Sequence, residues 1–350
     1  MNLAIEQAKL GGIATFKNPQ VGAVLVKNNQ VLAKGYHHYF GGDHAEVDVL
    51  RQVTKEQSQG ATLFVTLEPC SHFGKTPPCS HRVVKAGIKK VVIGQLDPHP
   101  IVAGKGKDYL MQHGVTVIDN VLKDKVEQLN PHYNFFYRQE RPWITLKAAM
   151  TLDGKINRQK NQRTIISNHE SYLDSQKVRT HYQAILIGEH TLNIDDPQLT
   201  IRTERITHPP VRLIVLKNAM SILDKKILQD KTVETWLLVK ELAPKDFLNQ
   251  FENIHVLQGD WTPQRIVEFC YEKGWQSLLV EGGSKLQAKF IKANLIEEWI
   301  SYISPRIFGG GSLPAIFNQT EMAQNIQFDQ PQVKFFKNDL KIQASRKGVK

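Results

Sequence analysis

Four residues between positions 44 and 79 have the types and spacing of a catalytic metal site. His44 offers an imidazole nitrogen, and Cys70 and Cys79 offer two thiolates, all of them ligands that zinc prefers. A catalytic zinc has three protein ligands and one position left for water, so this set predicts a catalytic ion. Glu46 lies two residues after His44, close enough to exchange protons with that water without binding the metal.

The same residues match most of a zinc-deaminase signature, in which H-x-E is followed by P-C-x-x-C and the glutamate is the general acid and base. Here Pro69-Cys70 follows, but eight residues instead of two separate Cys70 from Cys79. The loop between the cysteines is an insertion at the mouth of the predicted site, where His72 and Lys75 are candidates for substrate contacts. The predicted reaction is hydrolytic deamination of a nucleobase-like ring.

A closed structural zinc site is the alternative interpretation of these ligands. It needs a fourth ligand, which His72 or His81 would have to provide. It leaves Glu46 and the Pro-Cys start of the ligand loop unexplained, so we favour the catalytic site.

The segments around these residues predict a layered α/β domain. Strand-like segments at 21–26 and 31–35 flank Asn28-Asn29, which is a hairpin signal. Residues 44–53 have helical periodicity, with Ala45, Val49 and Val53 on one side. Further strands are predicted at 62–66, 90–93 and 115–118, and further helices at 80–86 and 106–112. Strands that alternate with helices are typical of α/β architecture.

The length of 350 residues is about twice that of a usual domain, which predicts two domains. Arg141-Pro142 marks a boundary, because proline disfavours helix at the residue before it. We therefore predict domains 1–141 and 142–350. The second half has its own α/β pattern, with strands at 143–149, 184–187, 211–216, 235–239, 277–281 and 298–303, and a helix at 285–295.

The composition and charge distribution indicate which classes of partner the protein binds. The formal net charge is +11, but lysines and arginines occur singly or in short pairs. Dispersed charge is typical of a solvated surface and also suits small phosphorylated substrates, so we expect no nucleic-acid partner. Three cysteines and no secretory signal argue against a disulfide framework. No stretch has the length of a membrane span, and we expect a cytoplasmic protein without a membrane partner.

Several motifs together resemble the bifunctional deaminase–reductases of riboflavin biosynthesis, and they cover nearly the whole chain. The long loop that ends in Gly-Lys-Thr-Pro-Pro-Cys79 discriminates best, because generic base deaminases have the short cysteine spacing. The other matching segments are Asn18-Pro-Gln-Val-Gly22, His44-Ala-Glu46, Asp97-Pro-His-Pro-Ile-Val-Ala-Gly104, Thr145-Leu-Lys-Ala-Ala-Met-Thr-Leu-Asp-Gly154, Asp195-Asp-Pro-Gln-Leu-Thr-Ile-Arg202, Val280-Glu-Gly-Gly283 and Ser304-Pro-Arg-Ile-Phe-Gly309.

The resemblance implies a cytidine-deaminase-like α/β/α domain followed by a dihydrofolate-reductase-like α/β domain. The first would use one Zn²⁺ to deaminate 2,5-diamino-6-ribosylamino-4(3H)-pyrimidinone 5′-phosphate, a small phosphorylated pyrimidine. The second would then use NADPH to reduce the ribosyl group to ribityl. A homodimer or higher homo-oligomer is the family-level expectation.

The resemblance also assigns residues. Glu46 and Lys147 would be catalytic, and His44, Cys70 and Cys79 would bind the metal. Substrate contacts would come from Asn18, Lys75, Arg163, Arg179, Leu199, Arg202 and Glu281, with the guanidinium groups of Arg179 and Arg202 suited to the 5′-phosphate. Cofactor contacts would come from Ala149, Ile165, Thr191, Asp195, Gly282, Gly283, Ser284, Lys285 and Leu286.

The family pattern is broken at two places. Arg163 stands where the family has a substrate-contacting serine, and Leu216-Lys217 replaces an Asp-Ser pair. Lys217 suits the 2′-phosphate of NADPH, although a solvent-exposed lysine is an equal interpretation.

From the residues alone, the second half gives weaker signals. Gly282-Gly283 before a helix lets backbone amides approach a phosphate, but a plain strand-to-helix turn explains it equally well. Without the resemblance, Lys147 would be a surface lysine, Glu281 a helix-capping residue and Asp153-Gly154 a turn. Two other functions compete with the bifunctional enzyme: a tRNA-adenosine type deaminase with a basic accessory domain, and a non-catalytic zinc-stabilised binding protein.

Overall fold

The computed structural model describes residues 1–71, 77–159, 162–219, 224–241, 252–317 and 325–348. The chain divides into two compact units, Met1–Glu140 and Arg141–Lys350, one residue before the predicted end of the first domain. Among the described residues, no helix has the length and apolar character needed to cross a membrane.

Unit 1 contains a five-stranded sheet with the order β2-β1-β3-β4-β5, in which β3, β4 and β5 are parallel and β1 runs antiparallel to its neighbours. Its elements in chain order are α1 (Asn2–Gly11), a 3-10 helix (Gly12–Thr15), β1 (Gly22–Lys27), β2 (Gln30–Tyr36), α2 (Ala45–Arg51), α3 (Lys55–Ser58), β3 (Thr62–Leu67), α4 (Cys79–Lys85), β4 (Lys90–Gln95), α5 (Lys105–Gln112), β5 (Thr116–Ile118), α6 (Lys123–Glu127) and α7 (Pro131–Gln139).

The predicted hairpin is confirmed. Asn28 and Asn29 have φ of 51° and 61°, the left-handed conformation that a two-residue hairpin turn requires at both central positions. Strands β1, β3 and β4 bury Leu25, Leu63 and Ile93 completely in one apolar core, which α2 and α4 cover. This packing fixes the N-terminal ends of α2 and α4, where His44 and Cys79 lie.

Unit 2 contains a nine-stranded sheet with the order β11-β10-β9-β8-β12-β6-β13-β16-β15. Its first seven strands are parallel, and β16 runs antiparallel to both of its neighbours, β13 and β15. A small sheet pairs β14 with β7. The elements are β6 (Trp143–Thr151), β7 (Lys155–Asn157), α8 (His169–Arg179), β8 (Ala184–Gly188), α9 (Glu189–Asp195), β9 (Val211–Asn218), α10 (Lys226–Gln229), β10 (Thr235–Glu241), β11 (Ile254–Gln258), α11 (Pro263–Glu272), β12 (Ser277–Val280), α12 (Ser284–Lys292), β13 (Glu298–Ser304), β14 (Leu313–Pro314), β15 (Phe328–Phe336) and β16 (Asp339–Arg346).

The parallel part of this sheet is covered on both faces, which explains why β8 and β12 are continuous apolar runs. Residues of α8 and α9 join one core, and residues of α11 and α12 join the other. The chain leaves β8 towards β9 on one side and leaves β12 towards β13 on the other. The carboxyl ends of β8 and β12 therefore form a topological switch point, where open α/β sheets bind their ligands.

Candidate active sites

The three predicted metal ligands converge in unit 1. His44 is the N-cap of α2, and Cys79 is the first residue of α4. His44 Nδ1 lies 3.6 Å from Cys70 Sγ and 3.2 Å from Cys79 Sγ, and the three ligand atoms lie within 4.8 Å of one another. A tetrahedral zinc with ordinary bond lengths separates such nitrogen and sulfur atoms by roughly 3.5 Å. The side chains therefore fit a zinc ion.

A fourth protein ligand is not found among the described residues, where only these three form a possible metal group. His81 points its Nδ1 at the hydroxyl of Tyr109, 3.1 Å away, and its ring stacks on Tyr109. His72 lies outside the described residues, as does Lys75. His81 thus contacts Tyr109 and not the metal ligands. Three protein ligands leave the fourth coordination position of the metal open, as a catalytic site requires.

Glu46 lies in the first turn of α2 and is 3% exposed. Burial, opposed by the charge of His44, raises the pKa of its carboxyl to about 7. Such a group is well matched to proton transfer near neutral pH. Cys70 accepts a hydrogen bond from the backbone N–H of Cys79, and its contact with the Cys79 side chain lowers the pKa of the Cys70 thiol despite burial.

A cavity of about 270 Å³ opens beside these groups. Asn18 lines it, and the Asn18 side-chain amide donates to His37 Nε2 over 3.0 Å. His37 Nδ1 lies 2.8 Å from the carbonyl oxygen of Asp43, so this nitrogen is the protonated one and donates. Burial, with the charges of His44 and His38, lowers the pKa of His37 to about 4. His37 is therefore neutral and keeps Asn18 in place.

The cavity also contains groups that the sequence analysis did not assign. Asp97, His99, Tyr133 and Tyr137 line it together with Glu68. The buried Glu68 carboxylate accepts three backbone N–H bonds from the loop and helix that follow β4, at 3.0–3.1 Å. In the sequence, the motif that starts at Asp97 served only as evidence of the family resemblance. These residues are far apart in the chain, so the sequence did not show that they line one cavity.

In unit 2, Lys147, Arg179 and Glu281 form a buried charge cluster. Arg179 donates to both Glu281 carboxylate oxygens, from Nε over 2.8 Å and from Nη2 over 2.7 Å. Lys147 Nζ lies 3.8 Å from Glu281 and 5.6 Å from the ring centre of Tyr302. Burial alone would raise the pKa of Glu281, but the charges of Arg179 and then Lys147 lower it to about 2. Burial lowers the pKa of Lys147.

The predicted cofactor residues meet at the switch point between β8 and β12. A Cβ atom at Gly283 would lie 3.1 Å from the Thr191 hydroxyl, and one at Gly282 would lie 2.5 Å from the Leu286 side chain. Close packing therefore favours glycine at both positions. Backbone amides at the start of a helix such as α12 are suited to bind a phosphate, so these residues are compatible with a phosphate of NADPH. Ser284 donates its hydroxyl to the carbonyl oxygen of Pro314 over 2.6 Å, which ties β14 to this helix start.

The remaining predicted residues are more dispersed. Burial raises the pKa of Asp195, and the charge of Arg163 opposes this effect, so those two side chains interact. Leu199 is buried with a positive φ next to Thr200, whose carbonyl oxygen accepts from Arg179. Ala149 packs on the core beside Tyr302, whereas Ile165, Arg202 and Lys285 are exposed. Lys217 Nζ lies 3.8 Å from Glu241 on the surface.

Comparison with known proteins identifies the family to which the chain belongs. Residues 142–342 match the model of the RibD C-terminal domain, and residues 1–95 match the cytidine and deoxycytidylate deaminase zinc-binding region. The chain belongs to the RibD family. It is therefore a bifunctional enzyme of riboflavin biosynthesis, a deaminase and a reductase, with Zn²⁺ and NADPH as cofactors. The predicted fold class is confirmed, and a tRNA-type deaminase is not favoured.

RibD proteins from several bacteria match this chain over most of their length. The riboflavin biosynthesis protein RibD of Bacillus amyloliquefaciens is 35% identical and covers 94% of this chain and 91% of its own. That of Aquifex aeolicus is 36% identical, with 89% and 87% covered. The solved structure of Acinetobacter baumannii RibD has a TM-score of 0.89 at 31% identity, covering 99% and 97%. A Thermotoga maritima structure, described as a diaminohydroxyphosphoribosylaminopyrimidine deaminase/5-amino-6-(5-phosphoribosylamino)uracil reductase, has a TM-score of 0.85 at 32% identity and the same coverage.

Proposed function

We propose that unit 1 removes the 2-amino group of 2,5-diamino-6-ribosylamino-4(3H)-pyrimidinone 5′-phosphate and that unit 2 reduces the ribosyl group of the product to ribityl. The observation that carries the first step is a buried Glu46 beside a three-ligand metal cluster on one cavity. The Arg179–Glu281–Lys147 cluster, whose Glu281 directly precedes the Gly282-Gly283 helix start in the chain, supports the second step.

In the deaminase, His44, Cys70 and Cys79 would hold the zinc ion. Zinc in such a site lowers the pKa of water to near 7 and so supplies a nucleophile at neutral pH. We assign to Glu46 the transfer of protons: its carboxylate takes a proton from the attacking water and delivers one to the departing amine. Burial of Glu46 keeps bulk water from competing for these protons.

Recognition of the ring falls to side chains on the cavity wall. Asp97 Oδ1 is occupied by the Tyr133 hydroxyl and the His99 N–H, both at 2.9 Å, while no described residue donates to Oδ2. We assign Oδ2 the role of accepting a hydrogen bond from an N–H of the diaminopyrimidine ring. Asn18, held by His37, contributes a second polar contact. Lys75 is proposed to contact the 5′-phosphate on the basis of the sequence motif.

In the reductase, Gly282 and Gly283 would hold a phosphate of NADPH, which would supply the hydride when bound. Lys147 orients the carbonyl oxygen of the ring-opened sugar, and Glu281 accepts hydrogen bonds from its hydroxyls. Two of the donor positions of Arg179 are already used by Glu281 and another by Thr200, so we assign Arg179 chiefly to holding Glu281. The exposed Arg202 is then the better candidate for the substrate phosphate.

The experiment supplies the diaminopyrimidine ribotide and NADPH to the purified full-length protein. One equivalent of ammonia per substrate, followed by one equivalent of NADPH oxidised, is the expected result. Ammonia release with cytidine or adenosine substrates, but not with the ribotide, would contradict the assigned substrate. Oxidation of NADPH without prior ammonia release would contradict the assigned order of the two steps.

A homodimer or higher homo-oligomer and a cytoplasmic location are further proposals that rest on the family resemblance. Sedimentation velocity of the purified protein measures the first, with a mass of at least twice 39.8 kDa expected. Fractionation of the source cells measures the second.

A further inference from the structure

The helix that carries Tyr133 is fixed independently of Tyr133 itself. At the start of α7, the Asn130 side chain exchanges hydrogen bonds of 2.7 and 2.9 Å with the backbone of Gln20. One turn later, the Asn134 amide pairs with Gln95 at the end of β4 over 2.7 and 3.3 Å. These contacts hold the helix against two segments of the cavity wall, so the position of the Tyr133 ring does not depend on its hydroxyl.

Among the described residues, the Tyr133 hydroxyl makes one hydrogen bond, and its acceptor is a cavity-lining carboxylate. Tyr133 donates to Asp97 Oδ1 over 2.9 Å, and both residues are 8% exposed. The backbone N–H of Asp97 is held at the same time by Glu68 over 3.1 Å. The backbone and one carboxylate oxygen are thus fixed, which leaves Oδ2 as the oxygen free to meet a ligand in the cavity.

We propose that Tyr133 is a positioning residue of the deaminase, which orients Asp97 so that Oδ2 accepts a hydrogen bond from the substrate ring. This inference rests on the proposed function of the cavity. Burial and then the charge of Asp97 raise the pKa of Tyr133, so its hydroxyl keeps its proton and acts as the donor. A charge-assisted donor of this kind both orders the carboxylate and favours its ionised form.

The charged and titratable groups around Asp97 determine its ionisation. Burial raises the pKa of Asp97 to about 6, and the charges of Glu68 and Cys70 act in the same direction. The His99 N–H and the Tyr133 hydroxyl oppose them. Removing the hydroxyl therefore raises the pKa of Asp97 further and leaves less carboxylate at neutral pH.

Tyr133→Phe removes this hydroxyl and keeps the ring. The expected result is a KM for the diaminopyrimidine ribotide about tenfold higher, with kcat within about threefold of the unaltered enzyme. The acidic limb of the kcat/KM profile for ammonia release should move to higher pH, because the pKa of Asp97 rises towards that of Glu46. Tyr109→Phe is the matched control, because it removes a hydroxyl contact with His81 in the same unit but away from the cavity. Its KM should not change.

A double-mutant cycle with Asp97→Asn tests whether Tyr133 acts through Asp97. Asp97→Asn alone should raise KM at least tenfold, and adding Tyr133→Phe should change KM by less than about twofold. Effects that multiply, or an unchanged KM in Tyr133→Phe, would overturn the positioning role. Loss of zinc from Tyr133→Phe but not from Tyr109→Phe would also overturn it, since Tyr133 would then support the fold.

The outcomes separate this proposal from the proposed function. An unaltered enzyme that releases no ammonia from the ribotide contradicts the assigned substrate. An active unaltered enzyme whose KM is insensitive to Tyr133→Phe contradicts only the role of Tyr133. NADPH oxidation, measured with the deaminated substrate, should be the same in all variants.

Discussion

Replacing Arg179 by methionine should destabilise unit 2 more than any exposed charge replacement. Arg179 and Glu281 are 10% and 8% exposed and share two hydrogen bonds of 2.8 and 2.7 Å. Methionine keeps much of the side-chain volume but removes the charge and all donors. Among the described residues, Lys147, whose Nζ lies 3.8 Å away, is then the one partner left for the buried Glu281 carboxylate.

The size of the effect follows from the pKa of Glu281. The folded protein lowers this pKa from 4.5 to about 2, against the opposing effect of burial and through the charges of Arg179 and Lys147. A shift of that size corresponds to about 3 kcal/mol at neutral pH. Removing one partner of a buried ion pair costs about 3–5 kcal/mol, so the two estimates agree. We expect the free energy of unfolding to fall by about 3 kcal/mol at pH 7.

The pH dependence has a defined sign. Because the folded pKa is depressed, the stabilisation is present above about pH 4.5 and is lost as pH falls towards 2. In Arg179→Met, burial raises the pKa of Glu281 instead, and protonation at lower pH relieves the uncompensated charge. The difference in stability between the unaltered protein and the variant should therefore shrink between pH 7 and pH 4.

Tryptophan fluorescence during urea unfolding measures the free energy of unfolding of unit 2 alone and so tests this prediction. All five tryptophans lie after residue 140, in the unit that contains the ion pair. Arg265→Met is the matched control, because Arg265 is 43% exposed and pairs with Glu272 on the surface. Its unfolding free energy should change by less than about 1 kcal/mol. Equal losses in the two variants, or a difference that does not shrink at pH 4, would refute the reasoning.

Two further variants test the separate units. Lys147→Ala should stop NADPH oxidation and leave ammonia release unchanged, and equal loss of both activities would argue against separable sites. Glu68→Gln should weaken the deaminase unit by about 2 kcal/mol, because an amide cannot accept all three backbone N–H bonds that the carboxylate accepts. The urea midpoint of zinc release measures this loss, with the exposed Glu56→Gln as control, and equal midpoints would contradict it.

The metal site could be predicted from the sequence because its chemistry is local. His44, Cys70 and Cys79 lie within 36 residues, and zinc limits its ligands to a few residue types. The wall of the cavity could not be predicted in this way. Asn18, Asp97 and Tyr133 come from segments that only the completed sheet brings together, and no spacing rule connects them.

The helix α8 shows a second limit. Its buried face contains Ser171, Ser175, Gln176 and Arg179 beside one valine, so it lacks the apolar periodicity that predicts a helix. The polar face is buried because Arg179 reaches Glu281, which is 102 residues away in the sequence. Resemblance suggested a phosphate contact for Arg179. In the structure the guanidinium donates to Glu281 and Thr200, and the phosphate contact stays a prediction.

The central claim is that Glu46 transfers protons beside a zinc ion held by three other residues. The direct measurement compares the unaltered enzyme with Glu46→Ala for zinc content and for ammonia release from the diaminopyrimidine ribotide. We predict one zinc ion per chain in both proteins, retained NADPH oxidation with deaminated substrate, and no detectable ammonia from the variant. Ammonia release by Glu46→Ala at a rate close to that of the unaltered enzyme would contradict the role of Glu46.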